Sequence, residues 1–125
     1  MFDVLITGGR VFDGTGNPWF WADLGIKDGK IAALVRVQPG KDSPLAGKAP
    51  VTIDAGGQAV SPGFIDTHSH SDLPLLVNPT GDSKIMQGIT TEVIGQCGST
   101  LAPLNERSLE MTKSMLRGPL AEKLQ

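Results

Sequence analysis

Residues 63–70 read Gly-Phe-Ile-Asp-Thr-His-Ser-His, and this stretch decides the fold class and the chemistry expected of the chain. It holds both histidines of the protein, His68 and His70, at the end of an apolar run that predicts a strand. Side chains two positions apart on a strand point to the same face. The two imidazoles can therefore reach one metal ion. A polar turn at Ser71-Asp72 follows them.

Two strands are predicted around this stretch. Residues 59–66 predict a mostly apolar strand, which Pro62-Gly63 breaks near its start. Residues 89–94 are β-branched almost throughout, which is typical of a buried strand in a parallel sheet. The second strand is followed at once by Gly95-Gln96-Cys97-Gly98.

Helical signals alternate with these strands. Residues 83–87 predict a helical turn that Gly88 ends. Asn105 predicts the N-cap of a helix that continues to about Leu116 and ends at Gly118-Pro119. Strand, helix, strand, helix is the start of a βα series. Because two parallel strands cannot close a barrel, and because Leu124-Gln125 falls where a further helix is expected, the pattern indicates the N-terminal piece of a longer fold.

The first 57 residues predict pieces of an antiparallel sheet. Residues 2–7 predict a strand that ends in a turn at Gly8-Gly9. Residues 19–27 and 30–37 predict a hairpin, because Asp28-Gly29 between them supplies the positive φ angles of a type I′ turn. Residues 38–50 predict a loop, and residues 51–53 predict a short strand closed by residues 54–57.

Cys97 joins the histidines as a candidate metal ligand. Functional side chains collect at the carboxyl ends of strands in parallel sheets, and neighbouring strands lie about 4.8 Å apart. A thiolate after one strand could then reach a metal held after the other, and zinc accepts both imidazole and thiolate. The alternative is that Cys97 is a small buried hydrophobic residue. The histidines on the preceding strand favour the metal site.

Composition argues against several other classes of protein. The chain has 125 residues, 39% hydrophobic content and a net charge of −2, which suits a globular domain and argues against nucleic-acid binding. No apolar run is long enough for a membrane span, and the first residues lack the features of a signal peptide. A single cysteine cannot form an internal disulfide, so a cytoplasmic location is expected.

Taken together, these motifs resemble the amino-terminal part of an amidohydrolase-superfamily enzyme, most closely one of the N-acyl-D-amino-acid deacylase (D-aminoacylase) family. The resemblance covers essentially the whole chain, and its motifs lie at residues 3–16, 23–31, 62–72, 87–91 and 95–98. Pro-Gly-Phe-Ile-Asp-x-His-x-His belongs to the superfamily broadly. Gln-Gly-x-Thr-Thr followed by Gly-x-Cys-Gly resembles the branch in which a cysteine supplies a metal ligand.

The resemblance implies an α/β fold with a β-rich start. Residues 1–60 would form the N-terminal part of a composite β-sandwich that a distant C-terminal segment completes. Residues 61–125 would form the first two βα units of a metal-dependent-hydrolase (β/α)₈ barrel, whose remainder is missing from this truncated chain.

The resemblance also implies a zinc-dependent hydrolase that cleaves the amide bond of N-acyl-D-amino acids. His68, His70 and Cys97 match metal ligands of that family. The general-base aspartate, two later histidines and the arginine for the substrate carboxylate are expected beyond Gln125, so no catalytic residue is identified and the chain alone is expected to be inactive. The expected partner is a small-molecule N-acyl-D-amino acid, with no nucleic acid and no membrane.

Roles are expected for four further side chains. Asp72 could orient a ligand histidine, as carboxylates commonly do around metals, or it could be a solvated turn residue. Asp66 is expected to point away from the histidines and to bond the backbone or a neighbouring helix. Trp19 and Trp21 favour packing on the sheet over a platform for substrate.

Two alternative functions stay open. A cyclic amidase similar to dihydroorotase or hydantoinase shares the His-x-His strand, but such enzymes generally bridge their metals with a modified lysine from a later strand, so Cys97 argues against it. The other alternative is no enzyme at all, either a catalytically inactive fragment or a small β-rich module for metal binding or interaction.

Overall fold

The computed structural model describes residues 1–100, 102–116, 118 and 122 of the chain. It shows a mixed α/β protein with a β-rich start, as the sequence predicts. The chain divides into two units, Met1–Pro62 and Gly63–Gln125. No helix in the described residues is both long enough and apolar enough to cross a membrane.

The first unit is a five-stranded sheet with the order β3-β2-β1-β4, in which β5 also pairs with β1. Its strands are β1 (Val4–Val11), β2 (Phe20–Lys27), β3 (Lys30–Arg36), β4 (Val51–Asp54) and β5 (Ala59–Val60). β1, β2 and β3 are antiparallel, as predicted. β4 runs parallel to β1, so the antiparallel arrangement expected over the first 57 residues was wrong for this strand, and β5 also runs parallel to β1. A parallel neighbour needs a crossover connection, and the loop between β3 and β4 provides it.

The hairpin between β2 and β3 is confirmed. Lys27 pairs with Lys30, and the two turn residues have φ angles of 51° for Asp28 and 70° for Gly29. Two successive positive φ angles define the type I′ turn, whose twist matches that of the flanking strands.

β1 continues through Gly8-Gly9, so the turn expected there was wrong. The pairing with β2 changes register between Ile6 and Gly9, which is a β-bulge. Gly8 has a φ of 66°, and its N–H donates to Oδ1 of the buried Asp23 at 2.8 Å. The glycines therefore kink the strand without ending it.

The core of the first unit lies against one face of this sheet. Val11, Ala22 and Leu24 form a buried cluster to which Ile6, Phe20 and Val60 add partly buried side chains. The rings of Trp19 and Trp21 pack edge to face with their centroids 5.6 Å apart. The two rings therefore pack on each other, but Trp19 is 42% exposed, so its packing on the sheet stays a prediction.

The second unit contains a parallel pair of strands, β6 (Phe64–Asp66) and β7 (Ile89–Glu92). Its helices are α1 (Pro74–Val77), α2 (Asp82–Ile85), a 3₁₀ helix (Gln96–Gly98) and α3 (Glu106–Met115). The prediction of one strand over residues 59–66 was wrong, because β5 belongs to the first sheet and β6 to the second. The helix α1 was not predicted from the sequence.

The parallel pairing of β6 and β7 is confirmed, but their expected burial is not. Phe64 and Ile65 are 60% and 62% exposed, and Thr90 and Thr91 are also exposed. A two-stranded sheet offers few partners on either face, and in the described residues no helix layer covers both faces.

The predicted start of α3 is confirmed by a reciprocal cap. Asn105 Oδ1 accepts the N–H of Ser108 at 2.9 Å, and Ser108 Oγ accepts the N–H of Asn105 at 2.8 Å. The predicted helical turn before Gly88 is also present as α2. Pro119, expected to end α3, and the helix expected at Leu124-Gln125 lie outside the described residues.

Candidate metal centre

The two histidines follow β6 and do not lie on it, because that strand ends at Asp66. Thr67 and His68 form a bend, but the segment stays bonded to the chain just after β7: the Val93 N–H donates to the Asp66 carbonyl at 2.8 Å, and the Ser69 N–H donates to the Val93 carbonyl at 3.0 Å. Ser69 is only 3% exposed, whereas both imidazoles are exposed. His68 and His70 lie side by side all the same, with ring centroids 5.5 Å apart, although the segment that carries them is not a regular strand.

Cys97 lies in a tight turn after β7. It has a φ of 55° and a ψ of 27°, a left-handed conformation that is uncommon for a residue with a side chain. Its neighbours Gly95 and Gly98 also have positive φ angles, of 78° and 73°. Left-handed residues other than glycine are costly and cluster at functional sites. Here the turn leaves the thiol exposed, so Cys97 is not the buried hydrophobic residue of the alternative interpretation.

These three side chains converge. Cys97 Sγ lies 3.3 Å from His68 Nε2, and one ligand atom from each of His68, His70 and Cys97 lies within 4.8 Å of the others. Zinc is bound about 2.0 Å from nitrogen and about 2.3 Å from sulfur, so two ligands of a tetrahedral ion stand about 3.3 to 3.6 Å apart. The donor chemistry of the three residues and the Cys97–His68 distance therefore suit a zinc ion, while the separations of up to 4.8 Å would shorten on binding.

A charged cluster lies behind the histidine segment. Lys84 Nζ, from α2, donates to Asp66 Oδ2 at 2.6 Å and lies 3.0 Å from Glu92 Oε1. Asp66 Oδ1 accepts the N–H of His68 at 3.1 Å, which confirms that Asp66 bonds the backbone and a neighbouring helix. The bond from Lys84, aided by the His68 N–H, lowers the pKa of the Asp66 carboxyl below its ordinary value.

Glu92 ties the same cluster to two serines. Its Oε1 accepts from Ser71 Oγ at 3.0 Å and from Ser69 Oγ at 3.3 Å. Partial burial acts to raise the pKa of Glu92, but the bonds from Lys84 and Ser71 outweigh it and leave that pKa lowered. The sequence analysis missed Lys84 and Glu92. The position of Glu92 at the carboxyl end of β7 was the available signal.

Asp72 lines a cleft beside Cys97. Thr112 and Met111 of α3 line the same cleft. In the part of the chain that the structure describes, the Asp72 carboxylate makes no hydrogen bond to either histidine. Asp72 therefore lies near the candidate centre without orienting an imidazole in this arrangement.

The sequence profile of the amidohydrolase family matches residues 51–117, which include all three candidate ligands. The chain belongs to the amidohydrolase family. Among proteins similar to this amidohydrolase chain is the N-acyl-D-aspartate deacylase of Alcaligenes xylosoxydans xylosoxydans. The two are 43% identical over 117 residues, which make up 94% of this chain and 22% of that protein.

Solved amidohydrolase structures are similar as well. A D-aminoacylase studied for the functional role of its binuclear metal center matches with a TM-score of 0.70 and 43% identity, over 83% of this chain and 20% of that one. A second similar structure is the N-acyl-D-glutamate deacylase from Bordetella bronchiseptica, complexed with zinc and a phosphonate mimic of the tetrahedral intermediate. Its TM-score is 0.69 and its identity is 46%, over 82% of this chain and 20% of that one. The chain thus spans about a fifth of the length of these relatives.

Proposed function

We propose that this chain is the N-terminal portion of a zinc-dependent amidohydrolase that cleaves the amide bond of N-acyl-D-amino acids. The observation that carries the proposal is the convergence of His68, His70 and Cys97 on one point. The relatives support the substrate class, since similar proteins that are 43% to 46% identical over the aligned residues are deacylases of N-acyl-D-amino acids.

In the proposed centre, His68, His70 and Cys97 hold the zinc ion. When bound, zinc polarises an amide carbonyl and makes a coordinated water acidic enough to react near neutral pH. The exposed side of the two imidazoles leaves that point open to a small acyl-amino acid. Asp72 lies in the cleft beside Cys97. We propose that its carboxylate would contact a metal ligand, directly or through a water molecule.

The proposed setting is a larger fold. Residues 1–60 contribute strands to a β-sandwich, and residues 61–125 contribute the first two βα units of a (β/α)₈ barrel. The general-base aspartate and the remaining metal ligands are proposed to lie beyond Gln125. A positioned base is worth about 10²- to 10⁴-fold in rate, so the 125-residue polypeptide alone should show no turnover of its own. The proposed location of the enzyme is the cytoplasm.

A chimera tests this function. Residues 1–125 replace the matching N-terminal segment of the N-acyl-D-aspartate deacylase relative, and release of free amine is followed with N-acetyl-D-aspartate and its L-enantiomer. We expect hydrolysis of the D-substrate alone, and loss of that activity in the same chimera carrying Cys97→Ala. A folded, zinc-loaded chimera that cleaves neither enantiomer would overturn the proposal.

A further inference from the structure

Two carboxylates face each other at the ends of the paired strands in the second unit. Asp66 of β6 and Glu92 of β7 are register partners. Like charges placed directly opposite one another on neighbouring strands destabilise the pairing. Lys84 resolves this conflict, because its ammonium lies 2.6 Å from Asp66 Oδ2 and 3.0 Å from Glu92 Oε1.

The same ammonium reaches the segment that carries the histidines. Lys84 Nζ lies 3.3 Å from Ser69 Oγ, and Ser69 is the residue between His68 and His70. Ser69 Oγ is also 3.3 Å from Glu92 Oε1 and 2.7 Å from Ser71 Oγ. Ser69 is only 3% exposed, so its hydroxyl bonds these side chains and not bulk water.

We propose that Lys84 is the positioning residue of the metal centre, an inference that rests on the proposed function of His68 and His70 as ligands. Lys84 holds Asp66, whose other oxygen accepts the His68 N–H, and it holds the hydroxyl of Ser69. The backbone is thereby fixed immediately before each imidazole. Both rings are held on the exposed side before a metal arrives.

Loss of the ammonium has a defined consequence. Asp66 and Glu92 would face each other without a cation, and their repulsion would separate the ends of β6 and β7. The Ser69 hydroxyl would lose one of its four polar contacts at the same time. The histidine segment would then sample several arrangements, and the ordering of that segment would have to accompany metal binding. Changes to groups that orient metal ligands lower affinity by about 10- to 100-fold.

The test uses the full 125-residue chain and four variants. Lys84→Met removes the charge at nearly constant length, and Lys84→Arg restores a cation with two or more donors. Ser69→Ala removes the hydroxyl link but leaves the Lys84 ion pairs in place. Lys113→Met, on the exposed side of α3, is the matched control for loss of a lysine. Zinc affinity is measured by competition with a chromophoric chelator, and cobalt(II) absorption reports the ligand field and the thiolate.

We expect Lys84→Met to weaken zinc binding about 10- to 100-fold and to shift the cobalt d–d bands, whereas Lys113→Met changes neither. Lys84→Arg should recover most of the affinity, and Ser69→Ala should lose part of it. If circular dichroism shows that Lys84→Met does not fold, the zinc affinity of Ser69→Ala tests the proposal, because this variant removes the hydroxyl that Lys84 contacts. Unchanged affinity and an unchanged cobalt spectrum in the folded variants would overturn the positioning role alone. An unsubstituted chain with no thiolate–cobalt band would overturn the metal centre and the positioning role together.

Discussion

Cys97 Sγ lies 3.3 Å from His68 Nε2, although the two residues are 29 positions apart in the chain. The contact exists because β6 and β7 are parallel neighbours, so the segments that follow them emerge at the same edge. A thiol and an imidazole that meet at such an edge supply two of the four donor groups of the proposed tetrahedral zinc site.

Replacement of Cys97 by alanine should therefore abolish tight zinc binding. We expect the affinity to fall about 100-fold or more, because loss of a direct ligand exceeds the effect of changes around a ligand. Chelator competition measures this loss, and Ser99→Ala, in the same cleft, serves as the control. Stoichiometric zinc that survives dialysis in the folded Cys97→Ala chain would remove Cys97 from the site.

Gly29→Val should destabilise the first unit by about 1 to 2 kcal/mol, the cost of a left-handed conformation for a residue with a side chain. Gly29 has a φ of 70°, and, its two chain neighbours aside, no atom of the described residues lies within 4 Å of the position its Cβ would take, so backbone strain is the expected cause. Gly29→Asn should cost much less, because asparagine tolerates this conformation. Equal urea midpoints for the valine and asparagine variants would contradict this explanation.

Gly25→Ala should destabilise the first unit by steric conflict. A Cβ on Gly25 would lie 2.7 Å from the ring of Phe2, closer than real contacts allow. Overpacking of this kind costs about 1 to 3 kcal/mol. In a Phe2→Ala background the same change should cost clearly less, and a double-mutant cycle by urea unfolding measures the difference. Additive effects would show that the ring moves aside freely.

The stability of the second unit should depend on pH at both ends of the scale. The pKa of Glu92 lies below its ordinary 4.5, so its contribution is full above about pH 4.5 and is lost as pH falls through the lower folded-state value. The bonds to Asp66 and Glu92 raise the pKa of Lys84 above 10.5, so its contribution is full below about pH 10.5 and is lost as pH rises through the higher value.

Thermal unfolding across this pH range checks both ends. Glu92→Gln should make the acid side less steep, because the amide does not titrate, while Asp66, whose pKa is also lowered by Lys84, keeps its own share of that side. The alkaline side should largely remain, since Asp66 still pairs with Lys84. If the thermal stability of Glu92→Gln falls with decreasing pH as steeply as that of the unsubstituted chain, other carboxylates cause the loss of stability in acid.

Several elements could be predicted because local chemistry determines them. Asp28-Gly29 favours positive φ angles, which only one kind of hairpin uses, and Asn105 provides a cap that begins a helix at the next residue. In the same way, a β-branched run located β7, and the His-x-His spacing brought two imidazoles close together. Each of these signals acts within a few residues and needs no distant partner.

Other features depended on contacts between distant residues. The direction of β4 and β5 beside β1 follows from where the loop crosses, which the composition of that loop does not encode. Gly8-Gly9 has the composition of a turn, but the bond to Asp23 makes it a bulge inside β1. The exposure of β6 and β7 depends on which elements cover them, which no strand pattern specifies.

Residue order alone was enough to place two imidazoles two positions apart after one strand and a cysteine after the next strand. Only the tertiary structure decided that the thiol reaches His68 and that Lys84 lies between Asp66 and Glu92 behind both histidines. Distances of this kind depend on strand register and on the left-handed turn at Cys97. A shift of one residue in the pairing of β6 with β7 would move the Cys97 thiol away from His68 and would separate Asp66 from Glu92, the two partners of the Lys84 ammonium.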